Sequence, residues 1–206
     1  VKKKEWDAAE KSLANALNQS NIKYALAKGE GAFYGPKIEV HIKDSQGRDW
    51  QMGTAQLDLV MLPEKFNLSY IDESGKKQKP FVIHRAIFGS FERFIGILLE
   101  HFSGALPFWL SPVQVSVITI NEKVLEYSQE VFDTLKEKGI RVELDPRNET
   151  IGKKIREAEM QKIPFLLIIG EKETEAKKVA VRERGKGDLG QKTLEEFFQI
   201  IEDQYL

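Results

Sequence analysis

The residues best suited to chemistry fall in four clusters. The first, Gly29-Glu30-Gly31-Ala32-Phe33-Tyr34-Gly35, has the glycine density of a phosphate-binding fingerprint. Its third glycine comes one position late and a strand pattern, not a helix, follows, so the dinucleotide-fold reading fails. Flexible backbone here can bring Tyr34 and Lys37 to a small ligand, and an ordinary glycine loop accounts for the same composition. The second cluster, Trp50 to Asp58, sets Gln51, Thr54, Gln56 and Asp58 among apolar residues. Buried amides and hydroxyls need partners, so several on one strand either form a structural network or line a polar pocket. In the third, His84 ends a strand pattern, Gly89 and Ser90 open a helix, and Arg93 lies one turn inside. Free N–H groups beside a guanidinium suit an anionic phosphate, while a simple cap with a surface ion pair is the alternative. His84 has only His41 and His101 as companions and the chain has no cysteine, so no zinc spacing is complete within it. The fourth cluster, Asp145-Pro146-Arg147-Asn148-Glu149-Thr150, sits between a strand and a helix bearing Lys153, Lys154 and Arg156. Strand ends of this kind are where α/β sheets bind ligands. Arg182 and Arg184 on a later strand can add positive charge to that side, although Glu149, Glu157 and Glu183 fit a generic solvated face equally well.

These clusters are carried by elements readable from periodicity. Trp6, Ala9, Leu13, Ala16 and Leu17 form a helical stripe whose face should be buried. Ile38, Val40 and Ile42 alternate with polar residues as in a strand, and Asp44 to Arg48 supplies a turn. Trp50–Met61, Asn67–Ile71 and Pro80–His84 are further strands, with a hairpin turn at Asp72–Lys77, which together predict an antiparallel sheet. Phe91, Phe94, Ile95, Leu98, Leu99 and Phe102 give the clearest helical stripe in the chain. Gly104 to Pro112 breaks the pattern and reads as a connector. Beyond it comes a βαβ rhythm: strand Val113–Ile120, helix Glu122–Lys138, strand Ile140–Leu144, helix Ile151–Gln161, strand Pro164–Ile169, strand Lys178–Arg184, and a closing helix through Leu194, Phe197, Phe198 and Ile201. Pro164–Ile169 is apolar without alternation, as expected of a strand covered on both faces. The predicted organisation is therefore two domains, residues 1–112 and 113–206, an α+β unit followed by an α/β unit.

Composition bounds the function classes. The chain has 206 residues, 41% hydrophobic and 31% charged, enough for packed cores. Without cysteine, disulfide frameworks, CxxC redox pairs and cysteine nucleophiles are excluded within this stretch. No apolar run approaches the ~20 residues that cross a bilayer, and nothing argues for secretion, so a cytoplasmic location is expected. Thirty-one basic against 32 acidic residues leave a net charge of −1, so a nucleic-acid partner must be held by a local patch. The start at Val1 suggests a piece of a longer polypeptide.

Together the clusters resemble the C-terminal portion of bacterial-type threonyl-tRNA synthetases, a family of class II aminoacyl-tRNA synthetases. The resemblance spans essentially the whole chain through five ordered blocks: GEGAFYGPK (Gly29–Lys37), WQMGTAQLD (Trp50–Asp58), HRAIFGSFERFIG (His84–Gly96), WLSPVQV (Trp109–Val115) and DPRNETIGKKIRE (Asp145–Glu157). Met52 departs from the pattern, since many members carry cysteine there; the family's zinc cysteine lies elsewhere. The resemblance implies the C-terminal part of an antiparallel class II catalytic domain, including motif 3, followed by an anticodon-binding domain with a mixed sheet. It implies ATP-dependent activation of threonine, with Mg2+ accompanying ATP, and transfer of the threonyl group to tRNA(Thr).

By the same resemblance His84 matches the last of three protein ligands to a Zn2+ ion that holds the amino and hydroxyl groups of threonine. Valine has no hydroxyl for an open coordination position and is rejected, whereas serine still chelates and needs editing. Arg93 matches the motif 3 arginine against ATP, with Ser90, Gln51 and Thr54 as neighbouring nucleotide contacts. Tyr34, Lys37 and Gln56 match positions near threonine and the reacting groups. Asn148, Glu173 and Arg182 match residues that read anticodon bases, with Arg156 in support. Motifs 1 and 2, the other zinc ligands and the editing region are expected upstream, so residues 1–206 alone should not support threonine-dependent ATP–pyrophosphate exchange. The complete enzyme is expected to be a homodimer. A noncatalytic RNA-binding or regulatory module built from the same anticodon domain is the alternative.

Overall fold

The computed structural model of the protein describes residues 2–202 and 204. Val1, Asp203, Tyr205 and Leu206, at the outer ends of the two expected domains, lie outside the described residues. The chain divides into two compact units, residues 1–97 and 98–206.

In the first unit, α1 (Lys3–Gln19) is followed by β1 (Lys37–Lys43), β2 (Asp49–Asp58), α2 (Met61–Lys65), β3 (Tyr70–Ile71), β4 (Lys77–Gln78), β5 (Val82–Ala86) and the start of α3 (Phe91–His101). β1, β2 and β5 form a three-stranded antiparallel sheet in that order, as the alternating pattern predicts. Asp44 closes the β1–β2 hairpin: its carboxylate accepts the backbone N–H groups of Gln46 and Arg48, both at 2.9 Å.

Three strand expectations are corrected. The strand expected at Pro80–His84 is displaced to Val82–Ala86, because Arg85 and Ala86 continue the pairing with Ala55 and Thr54 of β2, so His84 stands inside β5 and not at its end. β2 stops at Asp58 instead of running to Met61, because the Asp58 carboxylate accepts the N–H groups of Val60, Met61 and Leu62 at 3.1, 2.7 and 3.0 Å and so turns the chain into α2. The expected strand Asn67–Ile71 shrinks to β3, since Asn67 adopts a left-handed φ of 49° that interrupts an extended run. The helical stripes are also less covered than expected. Only Ala9 of α1 and Ile97 of α3 are buried, and Phe91 and Ile95 remain 76% and 51% exposed.

The second unit contains β6 (Val115–Thr119), α4 (Leu125–Glu137), β7 (Val142–Asp145), α5 (Ile151–Met160), β8 (Phe165–Ile169), α6 (Glu171–Ala176), β9 (Val179–Glu183), β10 (Gly187–Lys192) and α7 (Leu194–Glu202). The sheet order is β10-β9-β8-β6-β7; β6 runs parallel to β7 and β8, and β9 is antiparallel to β8 and β10. This is the expected mixed sheet. Residues of β8 feed two cores. Phe165, Leu167 and Ile169 join Val131, Leu135 and Phe197 on one face, and Leu166 packs with Ile118, Ala158 and Ile163 on the other. The absence of alternation in this strand therefore has the cause read from the sequence. α6 and β10 escape the periodicity reading: α6 is short and charge-rich, and β10 holds Gly187 and Gly190 at φ 83° and 78° around a shift in register.

Residues 105–111 are tied into this unit. Arg184 donates to the carbonyls of Leu106 (2.6 Å) and Ala105 (3.2 Å), Arg141 to those of Ser111 (2.9 Å) and Trp109 (2.8 Å), and Phe108 is buried. These bonds explain why the division of compact units falls upstream of the connector. Arg184, thus occupied, is not available to the side of the sheet that carries Asn148.

Candidate functional site

The polar residues of β2 present a puzzle of parity. Thr54, Gln56 and Asp58 share one face of a strand, but Gln51 stands an odd number of residues from Thr54 and belongs on the other. A β-bulge resolves it. Val40 pairs with Gly53 and the next residue, His41, pairs with Gln51, so Met52 is the extra residue and Gln51 turns onto the face of Thr54. Gln51 and Lys37 then both donate to the same carboxylate oxygen of Glu39, which lies directly across from Thr54. Glu39 was not anticipated as a site residue, although its place on the polar face of the β1 alternation was a usable signal. His41 contacts Asp49 and, at 3.6 Å, Glu39. The hydrogen bond to Asp49 is the main reason its pKa is raised; Glu39 adds to it.

Tyr34 reaches this face from the glycine loop. Gly35 lies so close to β2 that a Cβ there would stand 1.7 Å from the Leu57 carbonyl oxygen, and Tyr34 and Pro36 accept backbone hydrogen bonds from Leu59 and Leu57. The Tyr34 hydroxyl donates to Gln56 Oε1, and its ring stacks on His84 with centroids 5.7 Å apart. His84 itself pairs with Gln56 across β2–β5. Its Nε2 is 3.2 Å from Asp58 Oδ2 but off the line of a hydrogen bond; it is a buried side-chain nitrogen without a hydrogen-bond partner among the described residues. That orphaned imidazole fits one metal coordination position. No cluster of three potential ligands occurs among the described residues, so a metal held here needs ligands from elsewhere.

Arg93 completes the group from the start of α3. Gly89 (φ 69°) runs against the Met52 carbonyl, and the Ser90 hydroxyl accepts the Arg93 N–H at 3.3 Å. The Arg93 guanidinium donates to the Gln51 carbonyl at 3.1 Å and lies over the Trp50 ring at 5.8 Å. Trp50 is in turn held by its indole N–H on Asp44 at 2.8 Å. Burial pushes the Asp44 carboxyl up, but hydrogen bonds from Trp50 and Arg48 and from backbone N–H groups outweigh it, leaving Asp44 ionised well below the usual carboxylate range. A cavity of about 880 Å³ borders Lys37, Glu39 and Thr54, but its other walls are largely apolar residues such as Leu13, Leu17, Ile38 and Val40, and it does not reach Tyr34, Gln56, His84 or Arg93.

The four residues of the second unit are not gathered in this way. Asn148 is exposed in the β7–α5 loop and Arg156 is exposed on α5. Glu173, on α6, accepts from the Gly170 N–H at 3.0 Å and from the Gln191 amide at 2.6 Å. Arg182, on β9 beside Leu166, lies 3.7 Å from Glu159 at the far end of α5. No hydrogen bond or ion pair joins any two of these four among the described residues. Of the neighbouring cations, Lys154 is fully buried and cannot form part of a surface patch.

Residues 3–102 match the tRNA synthetase class II core domain (G, H, P, S and T), and residues 114–204 match the anticodon binding domain. The chain is 60% identical over 196 residues to a threonine–tRNA ligase of Carboxydothermus hydrogenoformans, covering 95% of this chain and 31% of that protein. It is 55% identical over 193 residues to one of Clostridium tetani, covering 94% of this chain and 30% of that protein. It therefore spans less than a third of the length of these relatives. Among solved structures, the RNA binding domain of threonyl-tRNA synthetase from Cryptosporidium parvum superposes with a TM-score of 0.86 at 41% identity, over 99% of this chain and 52% of that one. A putative threonyl-tRNA synthetase of Aeropyrum pernix gives 0.74 at 31%, over 99% and 50%.

Proposed function

Since this chain belongs to the class II tRNA synthetases, we propose that it is the C-terminal portion of a threonine–tRNA ligase, with residues 1–112 contributing to amino-acid activation and residues 113–206 to anticodon recognition. The observation that carries the reading is the bulge in β2, which brings Gln51 to the face of Thr54 and Gln56 and so lets one sheet surface present Lys37, Gln51, Thr54, Gln56, Tyr34 and His84.

Threonine carboxylate attacks the α-phosphate of ATP, the α–β phosphoanhydride breaks and pyrophosphate leaves as threonyl-adenylate forms, and negative charge must be met where it develops. Arg93 is prepared for this: the Gln51 carbonyl and the Trp50 ring hold its guanidinium before any nucleotide arrives, so little reorganisation accompanies the reaction. Gln51, Thr54 and Ser90 supply further polar contacts to the nucleotide. Tyr34 and Gln56 orient threonine, and their mutual hydrogen bond fixes which group of each is offered. Lys37, held by Glu39 at rest, has its ammonium directed along the same face. His84 would hold Zn2+ together with ligands from outside this chain; such an ion supplies an open coordination position that distinguishes threonine from valine. Mg2+ accompanies ATP. Asn148, Glu173 and Arg182, with Arg156 in support, read unstacked anticodon bases of tRNA(Thr). A cytoplasmic location and homodimerisation of the complete enzyme belong to the same reading; among the described residues no helix is long and apolar enough to cross a membrane.

The test uses the complete protein. Arg93→Ala should lower threonine-dependent ATP–pyrophosphate exchange by about 10²-fold or more, and His84→Ala should lower both exchange and bound zinc. Asn148→Ala or Arg182→Ala should instead weaken charging of tRNA(Thr) with exchange nearly intact. Unchanged aminoacylation in the first pair would overturn the activation site, and equal loss of both steps in the second pair would overturn the anticodon assignment.

A further inference from the structure

α5 turns the side of Ile151, Lys154, Ile155 and Ala158 to the sheet, so that a lysine stands in an apolar stripe and is 1% exposed. Burying an ammonium among apolar residues is costly unless all its donors are met. Here they are met by the Thr119 carbonyl at 2.9 Å, the Asp145 carbonyl at 3.1 Å and the Thr119 hydroxyl at 3.3 Å, with the Asp145 carboxylate 3.9 Å away. Thr119 and Asp145 are the last residues of β6 and β7, neighbouring parallel strands, and the Thr119 hydroxyl itself donates to the Asp145 carbonyl at 3.1 Å. A single buried cation therefore clamps the end of β7, from which residues 146–150 depart, to the end of β6.

The clamp continues outward. The Asp145 carboxylate accepts from the Arg147 N–H (3.1 Å), Nε (2.8 Å) and Nη2 (2.6 Å), and Arg147 returns to Glu157 on α5 at 2.8 Å. At the other end of the loop the Thr150 hydroxyl caps α5 through the Lys153 N–H, and Lys153 pairs with Glu149 at 2.6 Å. Asn148 lies between these two anchored points. Its side chain is exposed and makes no hydrogen bond to any described residue. Backbone held on both sides and amide left open is the arrangement that recognition of a base edge requires.

We propose that Lys154 is the positioning residue of the anticodon-reading loop, acting through the ends of β6 and β7 to set the backbone of Asn148. This rests on the assignment of Asn148 to base recognition. Lys154 touches no RNA in this scheme; it acts by removing freedom from the loop before binding. An apolar residue of the same length would fill the space but leave the carbonyls of Thr119 and Asp145 without their shared donor.

The experiment is a double-mutant cycle on the complete protein, read as kcat/KM for tRNA(Thr), with Lys154→Met and Asn148→Ala. Lys154→Met should lower kcat/KM on the order of tenfold through KM, and amide exchange at Arg147 and Glu149 should accelerate while the strands of the second unit keep their protection. In the double variant the two losses should not multiply, because a misplaced Asn148 has little left to lose. Losses that multiply, or a Lys154→Met variant that charges like the parent, overturn the proposal. If Asn148→Ala alone has no effect, the base-reading assignment fails instead, whatever Lys154→Met does. Should Lys154→Met fail to fold, Arg147→Ala opens the same loop from its exposed side, and it too should lower kcat/KM without multiplying the loss from Asn148→Ala; an independent or absent effect again overturns the proposal.

Discussion

Replacing Asp58 by alanine isolates the part of the site with the most to lose. The carboxylate is fully buried, accepts the N–H groups of Val60, Met61 and Leu62, and is the nearest charged group to His84 Nε2. Losing a side-chain cap at a helix start costs about 1 kcal/mol. Each donor left unpaired in a buried place adds about 1–3 kcal/mol, but these three are half-buried and water can serve them in part. A net loss of roughly 2 kcal/mol follows, which for a unit of this size lowers Tm by about 8–16 °C. Asp58→Asn keeps one acceptor oxygen and should lose about half as much. Trp6 and Trp50 report on the first unit, so the measurement is urea and thermal unfolding by tryptophan fluorescence in a Trp109→Phe background. A loss below about 0.5 kcal/mol for Asp58→Ala, or an asparagine variant as unstable as the alanine one, would refute the capping account.

Gly35→Ala should be among the worst substitutions in the first unit. Its Cβ would meet the Leu57 carbonyl oxygen at 1.7 Å, forcing the loop off β2, and a loss above about 3 kcal/mol or failure to fold is expected. Gly29→Ala, with open space around it but φ 84°, should cost only about 1–2 kcal/mol; similar melting of the two variants would contradict the close approach. The His41 cluster predicts a pH dependence. Because Asp49 and then Glu39 raise the folded pKa of His41 above its ordinary 6.5, its stabilising effect is fully present below that value and fades as pH rises through the folded pKa. The urea midpoint should therefore decline on going alkaline across that window in the parent and less so in His41→Gln; parallel curves would rule the cluster out as the cause.

Periodicity sufficed where one residue's neighbours along the chain decide its environment. The alternation of β1, the helical spacing of α4, α5 and α7, and the unbroken apolar run of β8 all reach the structure with their meaning intact. It failed where a side chain several residues away redirects the backbone: Asp58 ends β2 early by capping α2, and Asn67 adopts a left-handed turn inside an apparent strand. The site shows the same split. Tyr34 in the glycine loop, Gln56 within a strand, His84 on the next strand and Arg93 one turn into a helix were legible as polar groups, but Glu39 as the shared acceptor of Lys37 and Gln51, and Asp44 and Trp50 as the support of Arg93, depend on cross-strand pairing.

Residue types and their spacing thus determined the two-part architecture and the edges at which polar groups collect, since both follow from local backbone preference and amphipathic period, while the family resemblance rests on the five ordered blocks themselves. Tertiary structure alone decided that Gln51 shares a face with Thr54, that Lys154 is an interior clamp and not a surface charge, and that Asn148 stands open on an anchored loop. A bulge inverts facing without changing composition, and a lysine in an apolar stripe becomes tolerable only once two strand ends, distant in sequence, converge to accept its protons.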